Sequence, residues 1–224
     1  MVAYGVAMRG PAYFLGLAAI AAALFCGLAV AVETNGIAGL DEAVRLELHS
    51  LASPLLTLLA EKFTWLGSLS VLALFGVVAV AVLVQAGRRD RAVLLTVTMV
   101  GALVLENGLK FSFQRVRPPP FFGPEPVTYS FPSGHALFSL CFYGGLAIAA
   151  ARAVKSGAMK KGIWIATVLL VLAIGGTRIY LGVHYPTDVI GGWIIGFMWA
   201  LICSLAARRF EGTTHLEAEK SKAE

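Results

Sequence analysis

The chain has 224 residues, of which 58% are hydrophobic and only 14% charged, and its formal net charge is +5. A soluble domain usually carries about 25% charged residues. With a mean hydropathy of +0.79, the composition excludes a disordered chain, a soluble nucleic-acid binder and a small disulfide scaffold. A membrane protein is therefore expected.

The first apolar run, residues 11–32, follows one basic residue, Arg9. Its 22 residues suffice to cross about 30 Å of hydrocarbon, whereas a signal peptide has a core of about 7–15 apolar residues. We interpret the run as a retained helix, with a cleaved signal as the alternative. Further apolar stretches predict five more helices at residues 66–86, 92–109, 136–151, 162–177 and 189–206.

The predicted fold class is all-α, a six-transmembrane-helix bundle over residues 1–210 with a polar cytoplasmic tail at 211–224. Residues 33–50, after the first helix, are acidic, and this outward segment is amphipathic, with apolar residues at helical spacing at Leu40, Val44, Leu48 and Leu51. This segment is expected either to lie along the outer membrane surface or to pack on the bundle as a short helix.

Basic residues cluster in the connections after helices two, four and six, namely Arg88, Arg89, Arg91, Arg152, Lys155, Lys160, Lys161, Arg208 and Arg209. Because cytoplasmic loops carry an excess of Lys and Arg, both termini are expected in the cytoplasm. The chain would then be a multi-pass protein of the plasma (inner) membrane, with the loops after helices one, three and five facing outward.

The second outward loop holds six of the nine prolines, all between residues 118 and 132, so it cannot form a regular helix. Irregular backbone at membrane depth is tolerated where it is buried in protein or lines a wet cavity. A stiff loop of this kind is well suited to hold a site.

Small residues also carry predictions. Gly192 and Gly196 form a G-x-x-x-G pattern, which predicts either close packing inside the bundle or dimerisation. Cys26, Cys141 and Cys203 are odd in number and far apart. They predict neither a disulfide framework nor a zinc site, and we interpret them as small core residues of helices.

Ionisable residues near membrane depth are costly and mark functional sites. Here they gather at the outward ends of the predicted helices: Lys110, Arg115 and Arg117, then His135, then Arg178, then His184 and Asp188. Lys and Arg bind phosphate oxygens, and Ser133 and Gly134 precede a helix whose N-terminus can bind an anion. The pattern indicates phosphate chemistry, with His184 as nucleophile, Asp188 as its orienter and His135 as acid.

These residues form three ordered motifs: Lys110-x6-Arg117-Pro118, Pro132-Ser133-Gly134-His135 and Thr177-Arg178-x5-His184-x3-Asp188. The set resembles the signatures of the type 2 phosphatidic acid phosphatase superfamily, K-x6-RP, PSGH and SR-x5-H-x3-D, over about residues 105–195. Thr177 departs from the pattern, because it stands where the family usually has Ser. It keeps a hydroxyl, so its hydrogen-bonding role is expected to survive.

The resemblance implies a role for each matching position. His184 would form a phosphohistidine, Asp188 would orient it, and His135 would protonate the leaving oxygen. The phosphoryl oxygens would be bound by Lys110, Arg117, Arg178, Ser133 and Gly134. No metal or cofactor is implied. The expected partners are a membrane lipid substrate and the bilayer, with no nucleic acid and no required protein partner.

The roles of four further residues remain open. Glu106 precedes Lys110 by four positions, so it either positions that lysine or neutralises its charge. Arg115 lies outside the motif spacing, and we interpret it as a headgroup or interface anchor rather than a catalytic residue. Glu61 and Lys62 form either a surface ion pair or part of a substrate access route.

The expected function is hydrolysis of a lipid phosphate ester or diphosphate at the extracytoplasmic face. Candidate substrates are phosphatidylglycerophosphate, undecaprenyl diphosphate, phosphatidic acid and a lipid A phosphate. The compact chain resembles bacterial phosphatidylglycerophosphate and undecaprenyl-diphosphate phosphatases. The alternatives are a transporter that uses the basic pocket for an anion or phospholipid headgroup, and the haloperoxidase relatives of the superfamily.

Overall fold

The computed structural model describes the backbone of residues 10–223 and the side chains of residue 10 and residues 12–207. These residues form eight α-helices, with no strand among them, which confirms the all-α class. The helices are α1 (Pro11–Glu33), α2 (Ala38–Ser50), α3 (Pro54–Trp65), α4 (Leu69–Gln85), α5 (Arg89–Phe113), α6 (Gly134–Ala153), α7 (Gly157–Tyr180) and α8 (Pro186–Ala223).

Five of the described helices, α1, α5, α6, α7 and α8, are each long and apolar enough to cross a membrane. Helices α3 and α4 qualify only as a pair, with a bend of 46° between them. Counting this pair as one broken span gives up to six spans in the described residues. The predicted second helix at 66–86 corresponds to α4, and the sequence reading did not include α3 before it.

Local signals explain the break. Ser53 caps α3 by accepting a hydrogen bond from the Leu56 N–H, and Pro54 occupies its first turn. Ser68 caps α4 in the same way, so a new helix starts after a break of only three residues, 66–68. Gly67 lies in this break, where a Cβ would come within 2.3 Å of Ile174 Cγ2 and 3.2 Å of His135 Cδ2. The bare backbone of the break therefore packs against α7 and the start of α6.

The core lies where α1, α5, α6 and α8 meet, around Phe25, Ala102, Phe131, Leu137, Phe138, Cys141, Phe142 and Ile195. Cys141 and Cys203 are buried, as predicted, whereas Cys26 is exposed. The core prediction is wrong for Cys26 because it follows Phe25, which lies on the buried face of α1; consecutive helical residues point in different directions.

Helices α6 and α8 approach closely at the G-x-x-x-G pattern. A Cβ at Gly192 would lie 2.5 Å from the carbonyl oxygen of Ser133, and one at Gly196 would lie 3.1 Å from that of Leu137. The prediction that these glycines pack inside the bundle is confirmed. The close approach brings the start of α6 against the first turns of α8.

Helix α2 packs on α7 and α8, which favours the prediction of a short helix on the bundle. Its buried residues are Asp41 and Arg45, whereas Leu40 and Leu51 are exposed. The polar face of the helix is thus the inner one. At the other end of the chain, α8 continues without interruption through residues 211–223 of the predicted tail, and residue 224 lies outside the described residues.

Candidate active site

The predicted site residues lie on segments that meet at one end of the bundle. They come from the end of α5, the proline-rich segment 114–133, the start of α6, the end of α7 and the start of α8. Backbone hydrogen bonds join these segments, among them Phe121 N–H to Leu181 O at 3.1 Å and Ser133 N–H to Asp188 O at 2.9 Å. Gly182 makes the first contact possible, because its φ is +78° and a Cβ there would lie 2.5 Å from Phe121 N.

His184 is buried between two charged partners. Its Nδ1 lies 3.2 Å from Asp188 Oδ2, and its Nε2 lies 2.9 Å from Arg117 Nη1. Because a guanidinium can only donate hydrogen bonds, we assign the lone pair to Nε2 and the proton to Nδ1, which donates to the carboxylate. The ring is therefore held in the tautomer that a nucleophilic Nε2 requires.

Burial and charge both act on this ring. Burial holds the pKa of His184 well below its ordinary value, and the positive charges of Arg117, Arg178 and Lys110 lower that pKa further. The neutral imidazole is therefore the form favoured near neutral pH. Burial also lowers the pKa of Arg117, an effect opposed by the carboxylates of Asp188 and Glu106.

Arg117 is fixed by four hydrogen bonds besides the one to His184. Its Nε donates to Thr128 O at 2.5 Å, and its Nη2 donates to Thr128 Oγ1 at 2.9 Å and to Tyr129 O at 3.1 Å. Its Nη1 also donates to Val183 O at 2.7 Å. Thr128 lies 3.5 Å from Lys110 Nζ as well, so one hydroxyl connects the two basic residues of the first motif.

Lys110 pairs with Glu106 one helical turn earlier, at 2.6 Å between Nζ and Oε1. Both side chains are about 10% exposed. A Cβ at Gly134 would lie 2.7 Å from Glu106 Oε1, so the carboxylate is also in contact with the start of α6. Glu106 therefore both neutralises Lys110 and limits where its ammonium can lie.

Ser133 offers a free hydroxyl at the N-terminus of α6. The residue is fully buried, and within the described part of the chain its Oγ has no hydrogen-bond partner. The first N–H groups of a helix also lack partners within the helix. A buried hydroxyl and free N–H groups can together bind anionic oxygens, and a glycine at position 134 allows close approach.

Arg178 and His135 complete the set of ionisable groups. Arg178 Nη1 donates to Thr64 Oγ1 on α3 at 2.7 Å. His135 lies beside Gly67, and its electrostatic neighbours are Arg178, His184, Lys110 and Arg117. The structure thus groups the two histidines with the three basic residues, but in the described residues it gives His135 no direct hydrogen bond to any of them.

A cavity of about 270 Å³ opens beside Arg178. It is lined by α3, the proline-rich segment and the turn before α8, including Glu61, Lys62, Trp65 and Phe122. Both Glu61 and Lys62 thus line this cavity, and their part in a substrate access route stays a prediction. The alternative prediction, an ion pair between them, is not found among the ion pairs of the described residues.

Thr177 makes a hydrogen bond with its hydroxyl, whereas Arg115 lies differently from expectation. The hydroxyl of Thr177 donates to Ile174 O at 2.6 Å, so it is engaged within its own helix. Arg115 is not an interface anchor, because its Nη1 lies 2.6 Å from Asp188 Oδ1. The interpretation as an anchor failed because motif spacing carries no information on which arginine turns inward.

Sequence reasoning missed four polar residues that hold the site: Asp41, Thr64, Thr128 and Thr187. Asp41 contacts Arg115, and Thr187 contacts both of them. None of the four belongs to a motif, and the only signal in the sequence was an acidic residue at helical spacing in the segment 33–50. Within the described residues, no group of three or more His, Cys, Asp or Glu side chains could hold a metal ion.

A family model described as the PAP2 superfamily matches residues 91–211, which include all three motifs. The chain belongs to the PAP2 superfamily. This confirms the resemblance to type 2 phosphatidic acid phosphatases that the motifs predicted.

The relatives of this PAP2 chain are named lipid phosphatases. It is 31% identical to phosphatidylglycerophosphatase B of Bacillus subtilis over 178 residues, covering 78% of this chain and 86% of the relative. It is 32% identical to an undecaprenyl-diphosphatase of Sulfolobus acidocaldarius over 120 residues, covering 48% of this chain and 51% of that one.

The PAP2 fold is also found in a solved structure. The crystal structure of a transmembrane PAP2-type phosphatidylglycerolphosphate phosphatase from Bacillus subtilis superimposes with a TM-score of 0.79 at 27% identity. The match covers 86% of this chain and 96% of the other. Nearly the whole helical bundle described above is thus common to the two proteins.

Proposed function

We propose that this PAP2 protein is a membrane lipid phosphatase that hydrolyses a phosphomonoester or diphosphate through a phosphohistidine intermediate. The observation that carries the proposal is the buried His184, whose Nδ1 faces Asp188 and whose Nε2 faces Arg117. Membership of a family with named lipid phosphatases supports the reaction class. The transporter alternative would leave both histidines without a role.

In the first step the phosphoryl oxygens bind Lys110, Arg117, Arg178, Ser133 and the first N–H groups of α6. The lone pair of His184 Nε2 attacks phosphorus, and a nitrogen–phosphorus bond forms as the bond to the lipid oxygen breaks. His135 gives a proton to that oxygen, which leaves as an alcohol or as the lipid monophosphate. Asp188 stabilises the positive charge that develops on the His184 ring.

In the second step water attacks the phosphorus of the phosphohistidine. His135, now neutral, accepts the proton of the water as the nitrogen–phosphorus bond breaks. Inorganic phosphate leaves, and both histidines return to their starting protonation states. The basic groups stabilise the charge on the equatorial oxygens in both steps.

We propose that the reaction needs no metal ion. Lys110, Arg117 and Arg178 supply the positive charge that Mg²⁺ supplies in kinases, and the unpartnered Ser133 hydroxyl adds a donor. Activity should therefore persist in EDTA, whereas loss in EDTA and recovery with Mg²⁺ would contradict the proposal. Vanadate, which mimics phosphate, should inhibit.

The proposed substrates are phosphatidylglycerophosphate and undecaprenyl diphosphate, with phosphatidic acid and a lipid A phosphate as further candidates. The named activities of the relatives support the first two. Both of these lipids carry two phosphate groups, and the cavity beside Arg178 also has Lys62 in its lining. A second basic residue there suits a second phosphate. No protein partner is required by this reaction.

We further propose that both termini are cytoplasmic and that the site faces the extracytoplasmic side of the plasma membrane. The positive-inside rule supports this orientation. The basic residues between α4 and α5 and between α6 and α7 lie at the opposite ends of these helices from the site residues on α5 and α6.

The test is phosphate release by the full-length protein in detergent from a panel of phosphatidylglycerophosphate, undecaprenyl diphosphate and phosphatidic acid. His184→Ala should abolish release, whereas His215→Ala, in the predicted tail, should not. Labelled substrate should leave phosphate on the wild-type protein in an acid-labile, alkali-stable form. Full activity of a folded His184→Ala protein would disprove the mechanism.

A further inference from the structure

Arg115 is the centre of a buried ionic network outside the three motifs. Its Nη1 lies 2.6 Å from Asp188 Oδ1, and its Nη2 lies 2.7 Å from Asp41 Oδ2. Both carboxylates are fully buried, and the arginine side chain is 14% exposed. Two buried carboxylates therefore share one guanidinium, whose two ends fit one carboxylate each.

Asp41 also fixes the first turn of α8. Its Oδ1 accepts a hydrogen bond from Thr187 N at 3.0 Å, and its Oδ2 accepts one from Thr187 Oγ1 at 2.6 Å. The first N–H groups of a helix have no partner within the helix. A carboxylate at that end also interacts favourably with the helix dipole. Asp41 thus caps α8 from another helix, at the residue next to Asp188.

The network divides the two oxygens of Asp188. Its Oδ1 pairs with Arg115, while its Oδ2 accepts a hydrogen bond from the N–H of Tyr185, just before α8, at 2.9 Å. His184 Nδ1 faces the same Oδ2 at 3.2 Å. With Oδ1 held by the guanidinium, the carboxylate cannot rotate without breaking an ion pair in a dry environment, which is costly.

The same face of α2 contacts the segment that carries Arg117. Arg45, one turn after Asp41, donates from Nη2 to Pro119 O at 2.9 Å, and its guanidinium lies 4.6 Å from the centre of the Phe121 ring. Helix α2 therefore holds both the first turn of α8 and the proline-rich segment. The contacts of Asp41 and Arg45 explain why the polar face of α2 is the buried one.

We propose that Asp41 and Arg115 are positioning residues that orient Asp188, and through it His184, so that α2 is part of the active site. This inference rests on the proposed phosphohistidine mechanism. In the described contacts, neither residue touches Lys110 or Arg178, two of the side chains proposed to bind phosphate. Their effect is therefore expected on the rate of the chemical step rather than on binding.

The first test compares Asp41→Asn with Glu47→Gln, an exposed carboxylate of the same helix. Asp41→Asn should lower kcat by roughly tenfold to a hundredfold, as misplacement of a reacting group does. The KM and the vanadate inhibition constant should stay within about twofold, because binding and chemistry are separable in this way. Glu47→Gln should match the wild type in all three quantities, and a kcat for Asp41→Asn equal to that of Glu47→Gln would overturn the inference.

A double-mutant cycle with Asp188→Asn separates positioning from a general structural effect. If Asp41 acts through Asp188, the double variant should be no slower than Asp188→Asn alone, since residues that act as a unit are not additive. Losses that multiply would overturn the inference. If Asp41→Asn does not fold, Arg115→Lys replaces it in the cycle, because a single ammonium cannot bridge the two carboxylates.

The outcomes distinguish this inference from the proposed function. Absence of phosphate release by the wild type, or full activity of His184→Ala, would overturn both. An active wild type with an inactive His184→Ala and an unimpaired Asp41→Asn would overturn the inference alone. A folded Asp41→Asn protein with low kcat, unchanged KM and no additivity with Asp188→Asn would establish it.

Discussion

Arg117 donates a hydrogen bond from Nη1 to Nε2 of His184 over 2.9 Å. The contact joins a group that would bind phosphate to the atom that would attack phosphorus. A phosphate oxygen would compete with Nε2 for this donor, so that phosphate binding would free the lone pair for attack. The nucleophile would thus be released by its own substrate.

The first prediction concerns pH. In the proposed mechanism His184 must be neutral to attack, and its pKa is held well below its ordinary value by burial and then by Arg117, Arg178 and Lys110. The acid limb of kcat/KM should therefore lie below pH 6.5, since that limb reports the free enzyme. Replacing Arg117 by Gln removes a positive charge, so the His184 pKa should rise. The acid limb of the residual activity should then move to higher pH.

The control for this pH profile is Arg89→Gln, which changes an exposed arginine at the start of α5. Its acid limb should coincide with that of the wild type. A limb that stays in place in Arg117→Gln would show that His184 is not the group being titrated.

The second prediction concerns the approach of α6 and α8. A Cβ at Gly192 would lie 2.5 Å from the Ser133 carbonyl oxygen, and backbone atoms cannot rotate away. Gly192→Ala should destabilise the protein by about 1–3 kcal/mol, the usual cost of overpacking. It should also lower activity by disturbing the Ser133–Asp188 hydrogen bond. Thermal unfolding in detergent and phosphate release measure the two effects.

Gly144→Ala, on α6, is the matched control, because no heavy atom of a neighbouring group lies within 4 Å of its would-be Cβ. That variant should keep wild-type stability and activity. Equal unfolding temperatures for the two variants would contradict the close packing at Gly192.

The third prediction concerns membrane orientation. Val127 in the proline-rich segment and Ala158 at the start of α7 are both exposed, and they lie at opposite ends of the bundle. In a background without Cys26, Cys141 and Cys203, a membrane-impermeant maleimide should label Val127→Cys in intact cells. Ala158→Cys should react only after permeabilisation. The reverse pattern would place the site in the cytoplasm.

The fourth prediction concerns substrate choice. Lys62 and Arg178 line the same cavity, so Lys62→Met should reduce kcat/KM for the two-phosphate lipids by about two- to fivefold, the effect of one exposed charge pair. Phosphatidic acid, with one phosphate, should be affected less. Lys161→Met, at the opposite end of α7, should leave all ratios unchanged. An equal loss on every substrate would argue against a subsite for a second phosphate.

Much of the site could be predicted from the sequence because its chemistry is concentrated in short motifs. Proline fixes where α8 begins, and the spacing from His184 to Asp188 places the histidine just before that helix and the aspartate on its first turn. Apolar runs alone predict the five long spans and the α4 half of the broken one. The G-x-x-x-G pattern at Gly192 predicted either packing inside the bundle or dimerisation, and the packing is what the structure shows.

The parts that could not be predicted depend on tertiary contact. Asp41 lies 74 positions before Arg115 in the chain, and nothing in either local pattern indicates that they meet. Arg115 and Arg117 are also alike in sequence, yet one turns toward Asp188 and the other toward His184. Ser53 and Pro54 are signals for the start of α3. The helix was nevertheless missed, because polar residues such as Glu61 and Lys62 interrupt its apolar run.

The break between α3 and α4 limits the space beside His135. Gly67 presents main chain to the ring of His135, with room for no further carbon atom on that side. Side chains lining a pocket can change rotamer to fit a larger leaving group, whereas backbone held at a helix junction cannot. In the proposed mechanism, any selectivity for an alcohol that leaves beside His135 would therefore depend on the path of the chain itself, and it would persist when the residues lining the cavity are exchanged.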